Sequence, residues 1–358
     1  MEQKRNYGID LLRIVAMVMI IVLHILGAGG IIYTLEPLTP MYVTAWFLEF
    51  AAYCAVNCYA LISGYVGIYS KFKISNILQL WLQVAVTTLA ITLGFYFIGA
   101  DVTGQDILNS CMPIKNQFYW YFTAYVCLYL LTPALNWFLL NTTKKMARYL
   151  LWVFVILFSV VPTLFETDLF GINSGYSALW LVVLYLSGGF IRKFQSEINI
   201  KKRVLFGGYA AAVILTLLSK IGIEYLTPRV SFEIFGSNFL MNYHSPTMVV
   251  AGVCLLVLFA RLDVRKLAKP IAFLAPVTFG VYIIHSHPLI WNKYIVNGFI
   301  KFTELKSVVL VVAVFLTAMA IFVICSIVEF VRGWIFKVLH VFDFCRFVDE
   351  KIRRVFGG

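Results

Sequence analysis

The first apolar stretch of the chain holds three ionisable side chains, Asp10, Arg13 and His24. Such groups are costly in apolar surroundings and are functional candidates wherever they occur there. Arg13 and His24 are eleven residues apart. On a helix this places them within about 20° of one another and ~16.5 Å apart along the axis. An arginine offers a planar fork of donors suited to phosphate or carboxylate. A neutral imidazole accepts a proton near neutral pH and can serve as a general base. Asp10 precedes Arg13 by three residues, so the two can pair on the same face. Further along, Glu49 and Asn57 stand inside a second apolar stretch, and His285 and His287 stand at the end of a late one. The plainer readings are an interfacial ion pair for Asp10 and Arg13, a hydrogen-bonded core role for His24, and helix packing for Glu49. His244, His287 and His340 read as bystanders. His285-Ser286-His287 has no carboxylate or third ligand near it in sequence, so no metal is expected.

These residues need elements that can hold them in lipid. Of 358 residues, 61% are hydrophobic and 13% charged, with a mean hydropathy of +0.88. A soluble domain carries about twice that share of charge, so the polar skin of a soluble fold cannot be built. Runs near the ~20 residues that span a bilayer fall at 8–28, 42–67, 74–98, 118–140, 148–165, 176–191, 204–221, 244–260, 270–289 and 306–331. The expectation is an all-α, polytopic integral membrane protein with about ten transmembrane helices. The fifth and sixth runs are short. No internal repeat or long linker divides the chain. The stretch at 338–356 alternates apolar and charged residues at helical spacing, which predicts an interfacial amphipathic helix. The domains are therefore a transmembrane domain at 1–336 and an amphipathic tail at 337–358.

The net charge of +12 is spread in short clusters between apolar runs, without aromatic interleaving, which argues against nucleic-acid binding. With the N-terminus placed inside, 22 Lys and Arg fall in cytoplasmic segments and 6 in external loops. By the positive-inside rule both termini are cytoplasmic and the protein is multi-pass in the cell's inner or plasma membrane. The seven cysteines are an odd number without a CxxC pair, so no disulfide framework follows. Asp10 and Arg13 interrupt the first apolar run, which fits an uncleaved span better than a signal peptide.

Four stretches resemble, in order, the membrane-bound acyltransferase family 3. The first is Gly8-Ile9-Asp10-Leu11-Leu12-Arg13 with Val22-Leu23-His24. The second is Asn57-Cys58-Tyr59-Ala60-Leu61-Ile62-Ser63-Gly64-Tyr65. The third is Tyr119-Trp120-Tyr121-Phe122, continuing to Leu128-Tyr129-Leu130-Leu131-Thr132-Pro133. The fourth is Thr278-Phe279-Gly280-Val281-Tyr282-Ile283-Ile284-His285. The resemblance runs from residue 7 to about 330. The second stretch is also similar to the membrane portion of vancomycin-resistance serine racemases, but no racemase domain follows it here. Where family members often carry an arginine pair after the second span, this chain has Lys71-Phe72-Lys73.

The resemblance implies transfer of an acyl group, usually acetyl, from cytoplasmic acyl-coenzyme A to a hydroxyl of a surface or exported glycan. Donor, acceptor and membrane lipids are then the partners. Arg13 would hold the donor's arm or a phosphate, with Lys71, Lys73, Ser63, Tyr65 and Trp120 along its path. His24 would act on the acceptor hydroxyl or be acylated in passing. Asp10 or Glu49 would orient the base, and His285 and Asn57 would meet the acceptor. The competing class is a transporter or flippase for a glycan or small polar solute. Inverted repeats and paired interrupted helices would favour it, and neither is found in the sequence.

Overall fold

A computed structural model describes residues 5–229, 236 and 238–356; Lys4 of the basic count lies outside them. Helices make up the described chain, and no strand occurs among the described residues. The principal helices are α1 (Tyr7–Leu26), α2 (Pro40–Tyr53), α3 (Ala55–Gly67), α4 (Ile74–Phe97), α5 (Trp120–Asn141), α6 (Lys144–Val155), α7 (Ala178–Lys193), α8 (Lys202–Leu226), α9 (Pro246–Ala260), α10 (Thr278–His285), α11 (Ser307–Val338) and α12 (Val341–Phe356).

Every one of the ten apolar runs is helical, and eight helical segments are long and apolar enough to cross a membrane. The sixth and eighth runs form the shorter α7 and α9, of 16 and 15 residues. At 1.5 Å per residue these reach about 24 and 22 Å, less than the ~30 Å hydrocarbon core. Both are enclosed by protein over much of their length, so neither has to match a lipid thickness along its whole surface. The fifth run, by contrast, is full length. After α6 it widens into a π-turn at Ile156–Val160 and continues through Val161–Phe165. Pro162 at the start of that last piece has no N–H to donate and crowds the carbonyl four residues before it, and a local π-bulge accommodates such a residue. The long helix α11 exposes Val308, Leu316 and Ile324, an aliphatic face suited to lipid.

Helix α1 starts where Asn6 caps the Gly8 and Ile9 N–H groups at 3.0 and 3.3 Å. It runs through the core, packed on α2, α3, α9 and α11. Helices α3 and α7 touch backbone to backbone. A Cβ on Gly64 would lie 1.8 Å from the Tyr185 carbonyl oxygen, and one on Gly188 would lie 2.0 Å from that of Leu61. Small residues allow this approach between membrane helices, which gives Gly64 of the Ser63-Gly64 pair a packing role.

The second run is broken at Cys54 between α2 and α3. Just past the break, fully buried Asn57 donates to the Tyr243 carbonyl at 2.7 Å and accepts from Trp180 Nε1 at 3.1 Å. One amide thus joins α3, α7 and the segment before α9.

At the end of the bundle where α1 begins, α12 folds back on α4. Asp349 accepts from the Ile74 and Ser75 N–H groups at 2.7 and 3.4 Å. It thereby caps a helix whose own N-cap residue, Lys73, has no acceptor to offer. Arg353 pairs with Asp349 at 3.0 Å and donates to the Phe72 carbonyl at 2.9 Å. The segment around Lys71 is therefore fixed by the tail helix. Cys345 on α12 is buried, whereas Phe344 and Phe347 are exposed.

Candidate active site

His24 lies in the last turn of α1 and His285 is the last residue of α10. His24 Nδ1 and His285 Nε2 are 2.9 Å apart. His285 Nδ1 lies 2.6 Å from the Val281 carbonyl oxygen, which can only accept. These contacts assign the tautomers. His285 carries its proton on Nδ1 and donates it to Val281, so its Nε2 is an acceptor. His24 must then donate from Nδ1, and its own Nε2 keeps a lone pair. Among the described residues that Nε2 has no hydrogen-bond partner. Trp291 stands edge-on to the His24 ring, with centroids 4.7 Å apart and planes at 89°, which fixes the ring plane.

Behind this pair, Gly280 of α10 approaches α11 so closely that a Cβ would lie 2.3 Å from Glu329 Cδ. Glu329 is held by Arg332 at 2.5 and 2.9 Å and by Gln83 at 2.9 Å. The contact sets where α10, and so His285, rests against the last long helix.

His24 lines a cavity of about 490 Å³ that also meets Glu49, Trp120, Tyr176, Tyr243 and Asn292. From His24 a narrow neck of about 50 Å³ continues along α1 between Met17, Tyr59, Tyr121 and Phe279. Beyond it the Tyr59 hydroxyl donates to the Arg13 carbonyl at 2.8 Å. Tyr121, Tyr125 and Tyr129 form an i, i+4 stripe on α5 leading away from the neck, their successive rings 6.2 and 6.4 Å apart. Two cavities meet at Arg13. One of about 190 Å³ is lined by Ser63, Lys71, Tyr125 and Tyr129. The other, of about 290 Å³, is lined by Arg5, Asp10, Tyr65 and Arg192. On the far side of the neck from the large cavity, these two spaces form a basin with three arginines, Arg5, Arg13 and Arg192.

The expected residues distribute along this path. Arg13 pairs with Asp10 at 3.1 Å, and Asp10 also takes Arg5 at 2.5 Å. Asp10 thus sits with the arginines, far from His24, and the group oriented on His24 is His285. Tyr65 donates to Gln195 at 2.5 Å and accepts from Arg192 at 3.2 Å. Trp120 lines the neck and the large cavity rather than the arginine basin. Lys71 lines a basin cavity, whereas Lys73 meets Tyr129 through its backbone at 2.9 and 3.3 Å. Asn57 spends its amide on Tyr243 and Trp180 and lines none of these spaces. His287 accepts from the Leu289 N–H at 3.2 Å and faces the Thr88 carbonyl at 3.3 Å, both of them structural partners. His244 borders a separate cavity with Glu166 and Asp168. His340 pairs with Asp343 at 2.8 Å on the surface.

Arg5, Arg192 and Tyr125 were not singled out as site residues from the sequence, and Tyr121 and Tyr129 were named only within the third family-like stretch. Arg192 had counted only as one of the basic residues that orient the chain. The tyrosine stripe has a signal, a polar tip every fourth residue in an otherwise apolar helix.

A family model described as an acyltransferase domain matches residues 6–328. The chain belongs to the acyltransferase family 3. The match runs from α1 into α11 and contains both histidines of the pair, Arg13 and Arg192 of the basin, and the neck. No curated protein and no solved structure matches the chain. As an acyltransferase of this family with eight apolar helices of spanning length, it is a multi-pass membrane protein.

Proposed function

We propose that this acyltransferase moves an acyl group, acetyl by preference, from acyl-coenzyme A to a hydroxyl of a surface or exported glycan. The observation that carries the reading is the histidine pair, which leaves a lone pair on His24 Nε2 beside a cavity large enough for an acceptor. The arginine basin faces the cytoplasm, as the basic loops require, with both termini on that side and α12 along the inner leaflet of the plasma membrane. There Arg13, Arg192 and Arg5 take the donor's phosphates, for which guanidinium groups are suited. The pantetheine arm follows Ser63 and the tyrosine stripe through the neck and brings the thioester carbonyl to His24.

In the reaction, His24 Nε2 takes the acceptor hydroxyl's proton as that oxygen bonds to the thioester carbon. His285 accepts the His24 Nδ1–H throughout and steadies the charged ring. The C–S bond then breaks, and the proton on His24 Nε2 goes to the departing sulfur, giving the ester and free coenzyme A. A neck of about 50 Å³ suits a slender chain and not a sugar ring, which favours transfer over transport of a glycan. Purified protein should consume acetyl-coenzyme A and release free thiol when given a hydroxyl acceptor. Binding of the donor without any thiol release across acceptor classes would return the chain to the transporter reading.

A further inference from the structure

The large cavity beside His24 has a second chemical character. Glu49 is 6% exposed, and its Oε2 is buried with no hydrogen-bond partner among the described residues. None of the described residues lining the cavity is Lys or Arg. Lys220 lies 4.9 Å from the ring of Trp46, a lining residue, and pairs with Glu224 at 2.7 Å. Glu49 therefore presents a carboxyl group to a space whose described lining carries no Lys or Arg. Its other oxygen lies 3.9 Å from where a Cβ on Gly27 would stand. Gly27 ends α1, where the helix dipole is negative, and that field falls off within a turn.

Aromatic rings make up much of the remaining wall. Tyr176 stands 4.7 Å from Trp120 and 4.8 Å from Tyr243, and Tyr53 stands 5.0 Å from Tyr243. Ring faces attract cations through their quadrupoles, more strongly where water is excluded. A buried carboxyl group, a helix C-terminus and a group of aromatic faces all favour the same ligand charge, and a carboxylate or phosphate on the acceptor would meet repulsion from the first two.

The geometry points to an ammonium-binding subsite formed by Glu49 with Tyr53, Trp120, Tyr176 and Tyr243. The inference rests on the acyltransferase reading and adds to it the acceptor's class. The acceptor bears a protonated or quaternary ammonium close to the hydroxyl that is acylated. Gly27 is three residues beyond His24, so the two positions are ~4.5 Å apart along the helix. That spacing suits an amino alcohol or amino sugar with the two groups on neighbouring carbons.

Choline, a quaternary amino alcohol, serves as the probe, and its binding to the full chain in detergent is measured by titration calorimetry. The wild type should bind choline saturably, and glycolate, its anionic counterpart, should not bind. Glu49→Gln should weaken choline binding at least about tenfold. Tyr176→Leu should weaken it by about fivefold, while Tyr176→Phe, which keeps the ring, should bind as the wild type does. Tyr176 is at the surface end of the wall and 40% exposed, so these two variants test the subsite even if Glu49→Gln fails to fold. Wild-type protein that binds acetyl-coenzyme A but not choline overturns the subsite and leaves the acyltransferase reading intact. Glu49-dependent choline binding by protein that does not bind acetyl-coenzyme A does the reverse. Equal choline affinity in the wild type, Glu49→Gln and Tyr176→Leu also overturns the subsite.

Discussion

His24 Nδ1 and His285 Nε2 share one hydrogen bond of 2.9 Å between helices 261 residues apart in sequence. Because Val281 fixes the proton on the far side of His285, the bond has a direction. It leaves His24 as the member with basicity to spare. The pair resembles the nucleophile–base–orienter logic of other acyl-transfer sites, in which a third group holds the base's ring and tautomer. Here the group that meets the His24 ring is an imidazole, His285, whose own Nδ1 faces the Val281 carbonyl.

The arginine basin should control donor affinity. Arg13→Ala and Arg192→Ala should each weaken acetyl-coenzyme A binding about tenfold or more, the scale of a lost charge-assisted hydrogen bond. Lysine at position 13 should restore only part of it, because an ammonium cannot reproduce the bidentate fork. Equilibrium binding to the purified protein checks both. An Arg13→Ala protein with unchanged donor affinity makes Arg13 an interfacial anchor only.

The approach of α10 to α11 is a second point of control. Gly280→Ala places a methyl group against Glu329, and overpacking of this kind costs about 1–3 kcal/mol. Its thermal midpoint in detergent should fall, and acyl transfer should fall further than donor binding because His285 rides on α10. Combined with Glu329→Ala the loss should be smaller than the sum of the two single losses, the signature of a direct contact. Strict additivity would mean that the close approach does not set the position of α10.

Much of this was legible in the sequence. Apolar run length placed all ten helical segments, because each run must be helical in lipid whatever packs around it. The Arg13–His24 spacing separated the two residues along α1, and each lines a cavity at its own depth, because a straight helix fixes phase and depth together. The His24–His285 bond was not legible. It depends on how α10 docks on α1, and apolar periodicity carries no information on which distant helix ends meet. Asn57 shows the opposite failure. A polar residue at membrane depth invites a ligand role, but this one is satisfied by a backbone carbonyl and an indole that only the fold brings near. Lys71 and Lys73 look equivalent in sequence, and the turn between them sends one towards the basin and uses the other's backbone.

Topology can be read with thiols once the right positions are chosen. Cys111, in the segment between α4 and α5, is partly exposed and should react with an impermeant reagent in intact cells. Cys345 is buried against the bundle and cannot report on the tail. Glu350→Cys, on the exposed side of α12, is the suitable reporter and should label only after permeabilisation. Labelling of Glu350→Cys in intact cells would place the tail outside and invert the orientation.

The central claim is that His24 is the base and His285 its orienting partner. Acetyl transfer and acetyl-coenzyme A binding are measured side by side on the wild type, His24→Ala and His285→Ala. Both variants should bind the donor as the wild type does. His24→Ala should lose transfer by at least about a hundredfold, the low end for removal of a general base. His285→Ala should lose about tenfold or more, since His24 keeps its basicity but not its held tautomer. A His24→Ala protein that transfers acetyl at near the wild-type rate would contradict the account.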